Sequence, residues 1–144
     1  MKLFDPFAIL SSGMAAQRTR LDVIASNLAN AHTTRTPQGG PYRRMEPVFV
    51  ATPVGDDSGG FGDALDAQLR GVNVARIARD PRPLQRVYDP GHPDADADGF
   101  VTLPNVNPVE EMVDLIAASR SFEANAEAFQ TVRQMFLRAL ELGR

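Results

Sequence analysis

One pattern in this sequence has the spacing of a metal site, the acidic turn DADADG. Asp94, Asp96 and Asp98 match positions one, three and five of a calcium-binding EF-hand loop. Gly99 matches position six, but position twelve is Asn105, where a glutamate normally closes the loop with two oxygens. The proline-rich flanks also replace the helices that bracket an EF-hand. We therefore predict a solvated acidic turn and no metal site, with a calcium-modulated binding module as one alternative.

Hydrolysis is the second chemistry to weigh. His32 and His92 are the two histidines, and a catalytic triad would need one of them beside a serine and an aspartate. No G-x-S-x-G elbow occurs, and SSGMAA falls inside a predicted helix. The absence of cysteine removes thiol nucleophiles and cysteine-based zinc sites. We predict that the protein is not an enzyme, and a small hydrolase remains the other alternative.

Charge and composition argue against most ligand-binding classes. The net charge is −3 and the pI about 5.3, so no global basic field attracts nucleic acid. The arginines of GGPYRRM and RIARDPRPLQR fit surface or intersubunit contacts better. No Walker or dinucleotide glycine pattern is present, so we expect no cofactor and no small-molecule substrate. No apolar run approaches the roughly 18 residues of a membrane span, and MKLFDPFAIL is too short and interrupted for a signal peptide.

The N-terminal part, residues 5–31, has the pattern of a long helix. Asp5 can cap free amide groups, and Pro6 suits the first helical position. Apolar residues recur at alternating spacings of four and three, and only Gln17 breaks the repeat. A sustained repeat of about 3.5 residues is typical of a narrow seam against another helix, here roughly 40 Å long. The seam consists of Leu3, Phe7, Leu10, Met14, Leu21, Ile24, Leu28 and Ala31.

A second and longer helix is predicted over residues 107–142. Asn107 is the expected cap, Pro108 opens the first turn, and Glu110 follows the cap by three residues as in a capping box. Gly143 is expected to end the helix, which would be about 54 Å long. Its seam, interrupted at Ser119 and Arg133, consists of Met112, Leu115, Phe122, Ala126, Phe129, Phe136 and Leu140.

The middle of the chain, residues 32–106, has a different character. It holds nine of the eleven prolines, which argues against long helices there. YRRMEPVFVA and GVNVARIA combine β-branched residues with partial alternation and predict short strands, and LQRVYDP is a candidate third strand. VGDDSGGFGD has the composition of a flexible loop.

Two helices alone leave apolar side chains partly wet. Val113, Ile116, Val132 and Leu137 flank the C-terminal seam, and nearby alanines would let other helices approach closely. Unburied apolar area of this size favours association. We therefore predict a subunit whose terminal helices are completed by neighbours. The alternative is that the insert folds back and covers those flanks within one chain.

Two asparagines stand where the first helix should end. On the heptad, Asn27 lies at the border of the seam and Asn30 faces away from it. In one interpretation Asn30 ends the helix in a left-handed cap and Asn27 is solvated, as expected for a monomer. In the other, both amides hydrogen-bond to neighbouring helices or to the chain entering the insert, as expected in a crowded assembly.

Longer stretches of sequence carry a family resemblance. LDVIASNLANAHTTRTPQGGPYRR and VYDPGHPDADADGFVTLPNVNPVEEMVDLIAASRSFEAN strongly resemble the proximal rod subunits of the bacterial flagellar basal body. SNLAN is typical of the wider family of axial rod, hook and hook–filament junction proteins. YDPGHPDAD and PNVN are more specific to the rod subunit type. The resemblance covers residues 1–50 and 86–130, and the segment 51–70 contributes little to it.

The resemblance implies a structural role and an assembly mode. Such proteins polymerise helically in the periplasm after type III export without signal cleavage, and their terminal helices pack as a coiled-coil-like inner layer. Phe122 stands where the family often has tyrosine, and Pro108 follows PNVN and fixes the helix start. The residues that match the family motifs are expected to determine assembly, and they are Asn27, Asn30, Thr34, Pro104, Asn105, Asn107, Glu111, Met112, Ser119, Arg120, Glu123 and Asn125.

Together these patterns predict a mainly α fold with a β-containing insert. The predicted parts are an axial helix over 1–31, an extended β-rich insert over 32–106 and a second axial helix over 107–144. The predicted function is that of a structural subunit of the flagellar rod that transmits torque. Its expected partners are itself, other rod subunits and the flagellar export apparatus.

Overall fold

The computed structural model describes residues 5–54 and 69–142, and in these residues two long helices flank a small β insert in the chain. Helix α1 (Asp5–Ala29) contacts both a hairpin of strands β1 (Met45–Pro53) and β2 (Arg70–Arg79) and helix α2 (Pro108–Leu142). The hairpin and α2 therefore both pack on α1. The predicted fold class, mainly helical with a β-containing insert between the helices, is confirmed.

Helix α1 spans Asp5–Ala29. It begins at the predicted residue and ends two residues before the predicted end, and Leu3 lies outside the described residues. Asn30 does not end the helix in a left-handed conformation, because no non-glycine residue of the described segments has a positive φ. Its backbone N–H instead donates to the carbonyl of Ser26 at 3.1 Å, which closes the last turn.

Helix α2 spans Pro108–Leu142 and starts as the sequence predicts. The Asn107 side-chain oxygen accepts a hydrogen bond from the Val109 N–H at 3.0 Å, the geometry of an N-cap. Its 35 residues correspond to about 53 Å, some 15 Å more than α1. The helix end expected at Gly143 lies outside the described residues.

The two helices are antiparallel, because contacts move toward the start of α2 as they move toward the end of α1. Phe7 near the start of α1 makes edge-on contacts with Phe129 at 5.0 Å and Phe136 at 6.0 Å between ring centroids. Near the other end, Arg20 lies 3.5 Å from the Asp114 carboxylate. The long predicted helices therefore pair along most of α1, with the end of α2 extending past this pairing.

The residues of the predicted α2 seam have two kinds of surroundings. The row of Leu115, Phe122, Phe129 and Phe136 is half-buried. The second inward row consists of Glu111, Ala118, Asn125 and Val132, and Glu111 and Ala118 are 0% exposed. Met112 and Leu140, which were assigned to the seam, are 47% and 59% exposed.

Glu111, Ala118 and Asn125 of the inward row were not part of the predicted seam, because a search for apolar residues passes over a buried glutamate, a small alanine and an asparagine. Asn125 nevertheless faces α1 closely, because a Cβ atom added at Gly13 would lie 3.2 Å from its Nδ2. Gly13 therefore marks a point of close approach between the helices.

Strands β1 (Met45–Pro53) and β2 (Arg70–Arg79) form an antiparallel hairpin. They confirm the strands predicted in YRRMEPVFVA and GVNVARIA, and a bulge interrupts the register between Val48 and Phe49. Ser12 links the hairpin to α1, since its hydroxyl accepts a hydrogen bond from the Val72 N–H at 3.1 Å. A Cβ atom at Gly71 would lie 2.8 Å from that hydroxyl, so only glycine permits this approach. The predicted loop VGDDSGGFGD lies, after its first residue, outside the described residues.

Strands β3 (Gln85–Tyr88) and β4 (Phe100–Leu103) form a second, shorter antiparallel pair. The first was a candidate strand in the sequence and the second was not predicted. The rings of Tyr88 and Phe100 meet edge-on at 5.3 Å across this pair. Strand β4 leads directly into the segment that caps α2.

Within the described residues, no further helix or strand covers the far side of α2. Among the described elements, α2 packs against α1 alone. The described part of the insert leaves the α2 flanks open, since Val113, Ile116 and Leu137 are 62%, 55% and 51% exposed while Val132 is half-buried. Neither described helix combines the length and apolar character that a bilayer crossing requires.

Candidate assembly site

Asn27 joins both helices to the insert inside a single chain. Its side chain is 0% exposed, and its Nδ2 donates to the Met45 carbonyl at 2.8 Å and to the Glu111 carboxylate at 3.0 Å. Its Oδ1 accepts the Met45 N–H at 2.9 Å and the Tyr42 hydroxyl at 2.9 Å. The amide thus uses both its donor and its acceptor capacity. The expectation that Asn27 is solvated in a monomer was wrong, because the chain entering β1 closes over it.

Glu111 and Arg44 form the charged centre of this region. The Arg44 Nε donates to Glu111 Oε1 at 2.6 Å, and the other Glu111 oxygen accepts from Asn27. The guanidinium also lies 3.7 Å from Asp80 and 3.5 Å from Asp114. Burial acts to lower the pKa of Arg44, but the Glu111 bond and the surrounding carboxylates outweigh it and the pKa is raised. Arg44 is therefore held in its charged form by acidic groups from α2 and from the insert.

Asn105 and Asp80 extend the contact into the segment after β2. The Asn105 Oδ1 accepts the Arg44 N–H at 2.9 Å, and its Nδ2 donates to the Arg82 carbonyl at 3.2 Å. Asp80 accepts the Arg82 N–H and its guanidinium, each at 2.8 Å. The backbone bond from Arg82, its guanidinium and Arg44 lower the pKa of Asp80 below its usual 3.8, although burial opposes this. We call Asn27, Arg44, Asp80, Asn105 and Glu111 the inner polar cluster.

A different surface lies on the same turns of α2. Val109, Met112, Val113 and Ile116 are 66%, 47%, 62% and 55% exposed. Their spacings of three and four place them together on the side of the helix away from α1. We call these four residues the outer stripe. An exposed stripe of this kind is typical of a surface that binds another protein.

Comparison with known proteins identifies the family that uses these helices. A family model described as "Flagella basal body rod protein" matches residues 7–35, and one described as "Flagellar basal body rod FlgEFG protein C-terminal" matches residues 97–142. The flagellar basal-body rod protein FlgC of Borreliella burgdorferi is 48% identical over 99% of this chain and 98% of its own. The chain belongs to the FlgC family of flagellar basal-body rod proteins.

Relatives from distant bacteria support the same family. FlgC of Salmonella typhimurium is 44% identical over 99% of both chains, and FlgC of Bacillus subtilis is 40% identical over the full length of both. These relatives are named as rod proteins, a structural class. The two segments that match family models cover nearly all of α1 and the whole of α2, so the resemblance seen in the sequence and the helical pair coincide.

The residues that match FlgC-family motifs lie in several parts of the fold. Asn27, Asn105 and Glu111 belong to the inner polar cluster, with the buried Pro104 beside it. Asn107 caps α2, Thr34 donates to Asp94 at 2.7 Å, and Asn30 follows α1 and donates from its side chain to the Ser26 carbonyl. The remaining motif residues lie on α2, where Asn125 faces α1, Ser119 is half-buried, and Met112, Arg120 and Glu123 are exposed.

The predicted seam residues of α1 also have defined positions. Ile24 and Ala31 are buried. The other described members are half-buried along the helix, namely Phe7, Leu10, Met14, Leu21 and Leu28. Gln17, which interrupts the repeat, has a buried Oε1 for which the described residues provide no hydrogen-bond donor.

The acidic turn has a structural explanation in this family member. Asp96 Oδ1 accepts the N–H groups of Phe100 at 2.8 Å and Asp98 at 3.1 Å, and its Oδ2 accepts the Arg86 guanidinium at 2.8 Å. The backbone bond from Phe100 is the main cause of a lowered Asp96 pKa. Gly99 adopts φ +81°, which a turn of this shape requires. The described residues contain no group of three histidine or acidic side chains positioned to bind a metal ion.

The two histidines lie in different parts of the insert. His32 is exposed after α1, and His92 accepts the Asp94 N–H at 3.1 Å on its Nδ1 within the turn.

The sequence analysis missed Arg44 and Asp80 of the inner polar cluster, and also Tyr42, which bonds to Asn27. The two arginines after Tyr42 were recognised as part of a basic stretch. Nothing in their spacing connects them to a glutamate more than sixty residues away.

Proposed function

We propose that this chain is a non-enzymatic structural subunit of the flagellar basal-body rod, the periplasmic shaft that transmits torque. It leaves the cytoplasm through the flagellar type III apparatus without a cleaved signal peptide. It then polymerises with further copies of itself and with related rod subunits. In this assembly the terminal parts 1–31 and 107–144 form the axial layer, and the insert 32–106 bridges neighbouring subunits.

The observation that carries this proposal is the uncovered outer stripe on α2. Val109, Val113 and Ile116 are each more than half exposed, although all three are apolar and lie within the first three turns of α2. A helix with one apolar side against α1 and another facing outward needs a partner on the second side. Among the described elements of the same chain, none covers it.

The proposed mechanism is a contact between two different surfaces on neighbouring subunits. Such a heterologous contact does not close on itself and generates a helical stack when its rotation does not complete a ring. Within each subunit the inward rows of α1 and α2 hold the pair together. Met112 and Leu140, the exposed members of the predicted seam, then contact neighbouring helices.

The test places a charge in the outer stripe without touching the inner packing. We expect Val113→Asp to abolish rod assembly and motility when it replaces the chromosomal copy, because an aspartate in an apolar interface loses its hydration without gaining a partner. The matched control is Gln130→Glu, which adds the same charge at an exposed polar position of the same helix. Basal bodies purified from both strains are counted by electron microscopy, with chain abundance measured by immunoblot.

The purified Val113→Asp chain should show the same helical circular dichroism as the parent chain, which separates failed assembly from failed folding. Normal numbers of complete rods in the Val113→Asp strain would refute the proposal. So would equal loss of rods in the Gln130→Glu strain, since the effect would then be unrelated to the outer stripe.

A further inference from the structure

A cleft lined by Arg43 and Arg79 lies at the base of the β1–β2 hairpin. It has a volume of about 420 Å³, and its walls include Arg43, Arg79, Pro41, Met45 and Leu84. Arg79 stands directly across the hairpin from Met45, which fixes a guanidinium beside an apolar side chain. The cleft therefore combines positive charge with an apolar wall.

The charges of this cleft are available to a partner. Both arginines are exposed, and no carboxylate of the described residues lies within 4 Å of either guanidinium. The polar contact of Arg43 is a long one, 3.5 Å, to the neutral carbonyl of Asp80. This differs from Arg44, next in the chain, which lies among four carboxylates. Arg44 thus forms ion pairs in the interior, whereas Arg43 lines the cleft and has no ion pair among the described residues.

A complementary surface exists elsewhere on the same chain. Glu110 is exposed at the start of α2, between Val109 and Val113 of the outer stripe, and it has no cationic partner in the described residues. An acidic side chain flanked by exposed valines matches a cleft that offers guanidinium groups beside Met45 and Leu84. Both surfaces are exposed in one chain, so each can bind its counterpart on another copy.

The end of α2 also places an acidic side chain among exposed apolar residues, but its net charge is positive, like that of the cleft. Glu141 lies between Leu140 and Leu142, which are 59% and 90% exposed. Residues 133–142 also carry Arg133 and Arg138, so this segment has a net positive charge. Residues 109–116 carry the exposed Glu110 and no basic residue, while Glu111 and Asp114 are already paired with arginines of the same chain. Electrostatic complementarity therefore favours the start of α2 as the partner of a two-arginine cleft.

We propose that the Arg43–Arg79 cleft of one subunit binds the Glu110 end of the outer stripe of a second copy. This inference rests on the proposed rod function and names the two surfaces that meet. Because the cleft and the stripe are different surfaces, the contact is heterologous and propagates along the assembly. It also gives the β1–β2 hairpin, which lies outside both matched family segments, a role in subunit contact.

Charge exchange tests the pairing directly. We expect Arg79→Glu and Glu110→Arg, made singly, each to reduce the yield of assembled rods at least about tenfold, because like charges then face each other. The double variant should recover most of the yield, since the attraction is restored with its sign reversed. Arg76→Glu, on the same strand but away from the cleft, and Glu141→Arg are the matched controls and should assemble normally.

A second measurement uses the absence of cysteine from the sequence. Cells that co-produce an Arg79→Cys chain and a differently tagged Glu110→Cys chain should form a mixed disulfide in assembled basal bodies under oxidation. The pair Arg76→Cys with Glu110→Cys should cross-link at least about tenfold less, because disulfides need close and well-oriented Cβ atoms.

The outcomes separate this contact from the proposed function. Normal rod yields in both single variants, or a double variant no better than the singles, would overturn the pairing. If those variants assemble normally while Val113→Asp does not, the rod proposal stands and this contact is wrong. If Glu141→Arg alone reduces yield, the end of α2 is the partner and the assignment to Glu110 is likewise wrong.

Discussion

Neighbouring residues of α2 have opposite surroundings. Glu111 faces inward and is 0% exposed, whereas Val109 and Val113, two residues to either side, are 66% and 62% exposed. A surface helix of a globular protein normally shows the reverse, with apolar residues inside and charged ones in water. The start of α2 thus buries a carboxylate and exposes valines on the same turns.

The difference indicates separate tasks for the two sides. The inner polar cluster provides Glu111 with Arg44 and Asn27, so every oxygen of the carboxylate has a partner. Such a cluster contributes little net stability after desolvation, and we infer that its role is to specify how the helices and the insert meet. The outer stripe leaves its side chains to be covered by another molecule. The inside fixes the shape of one subunit, and the outside brings subunits together.

The largest effect should follow from removing the buried carboxylate. Glu111→Ala leaves Arg44, whose side chain is 14% exposed, without its shortest ion pair, and it deprives Asn27 of an acceptor. We expect a loss of about 2 to 4 kcal/mol in the free energy of unfolding, because Arg44 loses its closest counter-charge and the buried Asn27 amide loses an acceptor. Urea denaturation of the purified chain, followed by circular dichroism, measures this value.

Glu110→Ala is the matched control for that experiment. It removes the same side chain one residue earlier, at an exposed position, and should change the unfolding free energy by no more than about 0.5 kcal/mol. A cost for Glu111→Ala as small as the cost for Glu110→Ala would contradict the view that the inner polar cluster holds the subunit in shape.

The helices and most strands could be predicted from local signals, and the inner polar cluster could not. Asn107 and Pro108 mark the start of α2 in the sequence, and the Asn107 cap is present in the structure. Alternation of β-branched residues was enough to place β1 and β2. Each of these signals acts within a few residues, where capping and side-chain periodicity are decided.

The inner cluster depends on contacts between distant parts of the chain. Arg44 and Glu111 are 67 residues apart, and no local sequence pattern around either residue indicates that they pair. For the same reason Glu111 was not included in the predicted α2 seam, since a search for apolar residues passes over a buried glutamate. Strand β4 was missed because its four residues gain their partner only when Asp96 closes the turn before it.

An intermediate effect is expected from lowering the pH. The pKa of Asp80 is lowered in the folded chain, chiefly by the Arg82 N–H. Its contribution is therefore present above its usual pKa of 3.8 and is lost as the pH falls through the lower folded pKa. We expect Asp80→Asn to cost about 1 to 2 kcal/mol at neutral pH and progressively less in acid, where the parent carboxylate is also protonated. Urea denaturation at a series of pH values measures this difference.

Asp22→Asn, the same change at an exposed carboxylate of α1, controls for general charge effects and should cost less than about 0.5 kcal/mol at neutral pH. A cost for Asp80→Asn that stays constant from neutral pH to strong acid would show that the Asp80 charge does not support the inner polar cluster.

The smallest effect on folding should come from the outer stripe, and it distinguishes most clearly between the exposed and the packed sides of α2. Ile116 is 55% exposed, and its neighbour Leu115 is half-buried against α1. We expect Ile116→Gln to change the unfolding free energy by less than about 0.5 kcal/mol, since glutamine suits an exposed helix position at least as well as isoleucine. Leu115→Gln should cost about 2 kcal/mol or more, because a polar amide then replaces packed apolar surface.

Both variants are measured by urea denaturation at low protein concentration, where subunits do not associate. A cost for Ile116→Gln that equals the cost for Leu115→Gln would mean that the stripe is already covered within one chain. The proposed rod contacts would then lose the exposed surface on which they depend. A negligible cost, combined with the assembly defect expected for Val113→Asp, would instead separate the residues that shape the subunit from those that join subunits.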